Sequence, residues 1–428
     1  MMFVLQWISY GKDVIEFDLP DDCECFEIEP NRIKAASEPL LEVENALNAP
    51  IGVRLEDLIA PGKRVCIISD DISRPTPVWL ILRSLLPRLE ALGTRREDIF
   101  FVLALGSHRK MESREICEKL GEEVLSEYRV LQSSFTDPNS LILVGTTENG
   151  IGIEVYRDVM DSDVRIGIGN IAPHGTLGWS GGAKILFPGV TSERTVSRFH
   201  MKAAMLSNSY FGDADNPVRH DIEQWAETIG LHFIVNTVLL GGGEIYRVVA
   251  GHPVLAHRKG VSFGREVYFV KAPHRADIVL VDSHPSDGDF WQGTKGFYPS
   301  DILLRDGGTS LLVAPCYEGE GPHPIYARMI GDDNAETVLE ALCQDGKTEN
   351  WDPLAVAVGA QLSRMRRRYH MSMYTNGLPD EVLARAKIRR VRDIGRELAR
   401  LLNRYGEGAR LAIVRCGAEV VPEISESP

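Results

Sequence analysis

No run of 18 consecutive apolar residues occurs in the 428-residue chain, so the sequence offers no membrane-spanning helix. The N-terminus, MMFVLQWISYGKDVIEF, has neither a basic lead nor an uninterrupted apolar stretch, and it does not read as a secretory signal. Cysteines are few and unpatterned. Of the seven, Cys23 and Cys25 form a lone C-x-C with no second pair at zinc-finger spacing. Reduced thiols in the cytoplasm are the expectation. Positive charge is in deficit, with 47 Lys and Arg against 61 Asp and Glu and a net charge of -14, which argues against nucleic-acid partners. The one basic cluster, RMRRR at Arg364 to Arg368, reads as a solvated helix face.

What the chain does contain is a strand-loop-helix grammar. RVCIIS from residue 64 is a short apolar run, followed by polar DDISRPTP and a helically spaced VWLILRSLLPRLEALG. IFFVLAL, GSHRK and the helical MESREICEKLGEE repeat the unit, and VRIGIGN at 164–170 supplies a third strand. Strands apolar throughout, alternating with helices, indicate parallel sheets covered on both faces. The grammar restarts with ADIVLVDS near residue 277, then SLLVAP, helices near 335–344 and 352–367, and RLAIVRCG. The expectation is an α/β protein of two domains with parallel-type sheets and an active site in the cleft between them. The first spans 1–265 and the second 266–428.

The unusual polar residues sit just past strands: Asp70, Asp71 and Arg74, then His108 and Arg109, then His174. In open α/β sheets the ligand crevice lies beyond the carboxyl ends of the strands. The segment PHGTLGWSGGAKILFPG at 173–189 adds a lysine set among glycines. It is no phosphate loop of the Walker type. Gly178 and Lys184 have the spacing, but Ala183 replaces the second Gly, Ile185 replaces the Ser/Thr, and Pro188 stops any following helix. VRIGIGN has no third glycine for a dinucleotide fingerprint, and no HExxH zinc motif exists. His252 and His257 stand five apart, and His220, His232, His274, His284, His323 and His370 read as structural or surface residues. Loop histidines His108 and His174 remain, with His200 closing SERTVSRFH.

Two imidazoles on opposite sides of one carbon suit inversion of a stereocentre, and Arg74 suits a bidentate grip on a carboxylate. A carbon bearing a hydroxyl gives up its hydrogen more readily as hydride than as a proton, and side chains accept no hydride. Such a site needs an electron sink beside Lys184.

The motifs SDDISRPTP (69–77), GSHRKMESRE (106–115), APHGTLGWSGGAKILFPGVTSE (172–193), His200, DFWQGTKG (289–296) and CYEGEG (316–321) occur in order. On these the chain resembles the lactate racemases that depend on a nickel-pincer nucleotide, across nearly its whole length. The resemblance implies a pyridinium-3,5-bisthiocarboxylic acid mononucleotide carrying nickel, joined covalently at Lys184, with His200 as the protein ligand to the metal. It implies His108 and His174 as the acid/base pair flanking reversible hydride transfer. Arg74, Gln292 and Lys295 fall at substrate-holding positions. Asp71 lies on the cofactor loop, and Gly178, Gly181 and Gly182 would let backbone amides approach the nucleotide phosphate. Partners so implied are a small 2-hydroxy acid and the proteins that synthesise the cofactor.

One departure touches the substrate. Where the family carries a Trp two residues after an Asp near residue 352, this chain has Leu354, with Trp351 preceding. Lactate, malate, larger 2-hydroxy acids and sugar acids all stay open as substrates. So do a net oxidoreductase and a cofactor-binding relative without activity.

Overall fold

The structure, a computed structural model, describes residues 3–147, 150–206, 209–345 and 351–425. Two six-stranded sheets organise it. In the first, the strands run in the spatial order Ile245–Gly251, Phe233–Leu239, Val164–Asn170, Val65–Asp70, Ile99–Ala104 and Arg129–Gln132. All are parallel except Ile245–Gly251. Val164–Asn170 and Phe233–Leu239 are buried at every position, as continuous apolar runs in a doubly covered sheet must be. Helix Val78–Ala91 covers one face, burying Val78, Ile81, Leu82, Leu85 and Leu89 at helical spacing.

The second sheet is wholly parallel, in the order Arg389–Val391, His370–Tyr374, Leu304–Val313, Ala276–Asp282, Arg410–Val414 and Glu24–Ile28. The alternating grammar read from sequence is present in both halves, and the helices expected near 335 and 352 are Ala335–Asp345 and Pro353–Arg368. Among the described residues, no helix is long and apolar enough to cross a membrane.

The N-terminal residues depart from the expected division at 265. Strand Glu24–Ile28 pairs with Arg410–Val414, more than 380 residues away in sequence, and completes the second sheet. The hairpin of Phe3–Tyr10 and Asp13–Pro20 buries Ile8, Phe17 and Leu19 in the same core as Leu280, Leu311 and Ile413. The chain thus begins in the second domain, builds the first, and returns. A second link closes the circuit, for Phe269–Ala272 pairs in parallel with Val421–Ile424.

The basic run RMRRR ends helix Pro353–Arg368 and is ion-paired rather than merely solvated. Arg364 and Arg367 meet Glu336, Arg366 meets Asp333, and Arg368 meets Asp301 at 2.9 Å.

Ile28 is fully buried in the core of the second sheet. Ile28→Ala should cost about 2–5 kcal/mol, read as a lowered urea midpoint. Amide exchange should quicken in Ala276–Asp282 and Arg410–Val414. Quickening confined to Val65–Asp70 and Ile99–Ala104 would contradict the assignment of the N-terminal strand.

Candidate active site

The carboxyl ends of three neighbouring strands of the first sheet open onto one cavity, and the second domain supplies its opposite wall. After Val65–Asp70 come Asp71 and Arg74; after Ile99–Ala104, His108; after Val164–Asn170, His174. Lys184 and His200 complete the near side, and Trp291, Gln292, Lys295, Tyr298, Leu354 and Val358 form the far side.

His108 is oriented from both nitrogens. Its Nδ1 lies 2.5 Å from Asp71 Oδ2, and its Nε2 lies 3.1 Å from the Gln292 amide nitrogen. The carboxylate accepts a hydrogen bond from Nδ1–H, which leaves a lone pair on Nε2 facing the amide N–H. Burial alone would raise the Asp71 carboxyl. The neighbouring His108, hydrogen bonds from His108 and Ser73, and Arg74 hold it instead well below the usual carboxylate range. Gln292 is fixed in turn, because its Oε1 accepts from Lys295. Asp71, His108, Gln292 and Lys295 therefore form one chain of polar contacts from the first domain to the second.

His174 is held differently. It sits in a tight hairpin, Pro173–His174 against Gly178–Trp179, where its Nδ1 accepts from the Thr176 N–H at 3.2 Å and the Leu177 N–H at 3.3 Å. Those amides put the proton of the neutral ring on Nε2. Burial, then the charges of Lys184, Lys295 and Arg74, keep the ring far below its ordinary pKa and hence neutral.

Lys184 stands on a short 3₁₀ turn, Gly182–Ile185. Among the described residues its ammonium has no carboxylate within ion-pair distance. Burial, with Arg74 and Arg219 adding to it, brings it down to about 7. Lys295 is likewise depressed well below the ordinary lysine range, by burial and then by Arg74 and Lys184. On helix Glu193–Met205, His200 donates from Nδ1 to the Val196 carbonyl at 3.0 Å, leaving Nε2 free to act as a ligand. Burial carries His200 down to about 4, so that ring too is neutral.

The glycines serve the protein more than a ligand. A Cβ on Gly178 would stand 1.6 Å from the Asp213 carbonyl oxygen, so only glycine fits. The Gly182 N–H already donates to Asn236 Oδ1 at 2.8 Å. Of the three glycines expected against a phosphate, only Gly181 lines the cavity; Gly178 and Gly182 face protein.

Two buried cations escaped the sequence reading. Arg219, fully buried, spreads its guanidinium over the carbonyls of Leu177, Trp179 and Gly181 and so braces the glycine segment. Lys119, 3% exposed, pairs with Asp70 at 2.7 Å and donates to the Arg74 carbonyl at 2.8 Å, bolting the loop that carries Asp71. Asn236 and Tyr298 also line the cavity, and burial raises Tyr298 to about 12. His323, read as structural, lies 2.6 Å from Asp352 with its ring 4.2 Å from that of Trp291.

Residues 10–212 match the lactate racemase N-terminal domain, and residues 271–422 match the lactate racemase C-terminal domain. The chain belongs to the lactate racemase family. Membership makes it an enzyme of the racemase class. A lactate racemase of Thermoanaerobacterium thermosaccharolyticum is 28% identical over 352 residues, covering 80% of this chain and 82% of that protein. One of Lactiplantibacillus plantarum is 26% identical over 385 residues, covering 89% and 90%. The structure of the T. thermosaccharolyticum lactate racemase apoprotein superposes with a TM-score of 0.86 at 26% identity, covering 98% of this chain and all of that one. A Thermotoga maritima protein, 21% identical with a TM-score of 0.70 over 92% of this chain and 100% of that one, shares the fold.

An ammonium brought down to about 7 is a nucleophile at neutral pH. Brief acetylation at pH 7, followed by peptide mass spectrometry, should modify Lys184 ahead of the exposed Lys12 and Lys34. Its rate should fall about tenfold per pH unit below pH 7, as the amine gains its proton. A Lys184 that reacts only above pH 9 would contradict the geometry.

Proposed function

We propose that this enzyme racemises a 2-hydroxy acid with an apolar side chain, lactate or a larger aliphatic homologue, using a nickel-pincer nucleotide anchored at Lys184. The observation that carries the reading is the Asp71–His108–Gln292–Lys295 chain closing over a cavity that also holds His174, Lys184 and His200.

The residues present fit such a cofactor. Among the described residues, no three His, Cys, Asp or Glu side chains gather to hold a metal, so a metal on His200 would draw its other ligands from an organic group. A neutral imidazole with Nδ1 tied to a carbonyl suits nickel through Nε2. The part-neutral Lys184 amine suits an acyl linkage, and the surrounding cations suit a nucleotide phosphate. When bound, the cofactor supplies a reversible acceptor for the hydrogen on C2 of the substrate.

The chain's own residues do the rest. Arg74 and Lys295 bind and orient the substrate carboxylate. His108 Nε2 takes the hydroxyl proton, exchanging its bond from Gln292 for one to the substrate. Asp71, held ionised, fixes the ring and stabilises the imidazolium that forms. His174 presents Nε2–H to the substrate oxygen from another strand, so the two imidazoles enter unequally, one set to accept and the other to donate. Leu354 and Val358, with Val196, make an apolar wall that favours an alkyl side chain over a second carboxylate or a polyol.

Enzyme loaded in a host that makes the cofactor is incubated with single enantiomers of lactate and of 2-hydroxy-3-methylbutanoate, followed by chiral chromatography. Wild-type enzyme should interconvert both. His108→Ala and His174→Ala should each lose about 10²–10⁴-fold in kcat while retaining nickel. Asp71→Asn should lower kcat far more than it raises KM. Wild-type rates in either histidine variant would refute the two-imidazole reading.

A further inference from the structure

A second cavity lies on the other side of the second domain, and the proposed racemase chemistry makes no use of it. It is a groove of about 390 Å³ among Arg366, Lys387, Arg389, Arg400, Arg404 and His370, floored by buried Tyr369 and Met371. The catalytic cavity stands past the carboxyl ends of the strands. This groove crosses their amino ends, where Thr309 pairs with His370 and Ser372 with Arg389.

The charge balance of the groove is unusual for a chain of net charge -14. None of its lining residues is a carboxylate, and among the described residues its cations pair with two, Glu397 and Asp333. Buried Glu397 is shared by Arg400, at 2.7 Å, and Arg389. Asp333 is shared by Lys387, at 2.8 Å, and Arg366. Arg404 has no carboxylate within ion-pair distance among the described residues. It lies instead 2.8 Å from His370 Nε2. Five cations against two carboxylates leave three positive charges in excess.

Helix Ile394–Tyr405 ends here, and cations favour a helix C-terminus, but that terminus carries only roughly half a negative charge. It accounts for Arg404 at most. The guanidinium groups also crowd each other: Arg389 is depressed by burial, then by Arg400 and Arg404, and His370 by burial, then by Arg404 and Arg400.

We propose that this groove binds a small polyphosphate anion, either free or as the phosphate chain of a nucleotide. Guanidinium forks match phosphate oxygens bidentately, and a pyrophosphate or triphosphate brings the charge the groove leaves unbalanced. The volume is that of a small-ligand site. Helix Pro353–Arg368 touches both cavities, with Leu354 and Val358 in the catalytic one and Arg366 in the groove.

The experiment is calorimetric titration of the full-length protein with pyrophosphate and, separately, with magnesium-free ATP at low salt. One-to-one binding that Arg404→Gln weakens about tenfold or more, the scale of one charge-assisted hydrogen bond, is the expected result. The same loss should follow Lys387→Gln, across the groove. Both variants should melt with wild-type cooperativity without ligand. Equal affinity for the two anions would assign the phosphate chain alone, and tighter ATP binding would assign a nucleotide. The catalytic cavity is also cationic, so Arg74→Gln is the control and should leave the groove's affinity unchanged. No binding, or binding lost in Arg74→Gln and kept in Arg404→Gln, would overturn the proposal.

Discussion

The burial of several cations in one cavity is the constraint on which the site depends. Arg74, Lys184 and Lys295 face one another with Asp70, Asp71, Asp289 and Glu419 as nearby carboxylates, and Asp70 is spent on Lys119. Desolvation and the repulsion of neighbouring cations disfavour the charged forms of Lys184 and Lys295, which are pulled down, and of His174 and His200, which stay neutral. Such a cluster persists only if the backbone around it is rigidly held. The Arg219 fork over three carbonyls and the Lys119 bolt on the Arg74 loop supply that rigidity. An anion entering the cavity relieves the repulsion.

The path of the chain brings the two walls together. Glu24–Ile28 and Val421–Ile424 each tie one end of the sequence to a distant strand, Arg410–Val414 and Phe269–Ala272 respectively. Across the cleft itself runs the polar chain from Asp71 to Lys295. Gln292 is its centre. One amide, donating to His108 and accepting from Lys295, makes the orientation of an imidazole in one domain depend on a residue of the other.

Much of this was legible in the sequence for identifiable reasons. Strands buried on both faces are mostly apolar, so Val65–Asp70, Ile99–Ala104 and Val164–Asn170 and their parallel class could be read, while Phe233–Leu239, interrupted by Asn236 and Thr237, could not. Polar residues just past them then had to converge, and His108, His174, Lys184, His200, Arg74 and Gln292 do line one cavity. The N-terminal strand was misplaced because its partner lies at the other end of the chain, and no local signal reports that pairing. The close approach of the Asp213 carbonyl to Gly178 and of the His257 ring to Gly182 was not legible, because both neighbours are distant in sequence. Arg219 and Lys119 were missed because Arg and Lys are ordinarily surface residues, and nothing in their local sequence announces burial.

The central proposal is that Lys184, a part-neutral amine with no carboxylate within ion-pair distance among the described residues, is the covalent anchor of the cofactor. The measurement that tests it most directly is the intact mass of protein from a host equipped to make the cofactor, with nickel counted on the same sample. The account predicts a mass increase and about one nickel per chain in the wild type, both lost in Lys184→Ala. The same adduct in Lys184→Ala, or a folded wild-type protein from that host with neither adduct nor nickel, would contradict it.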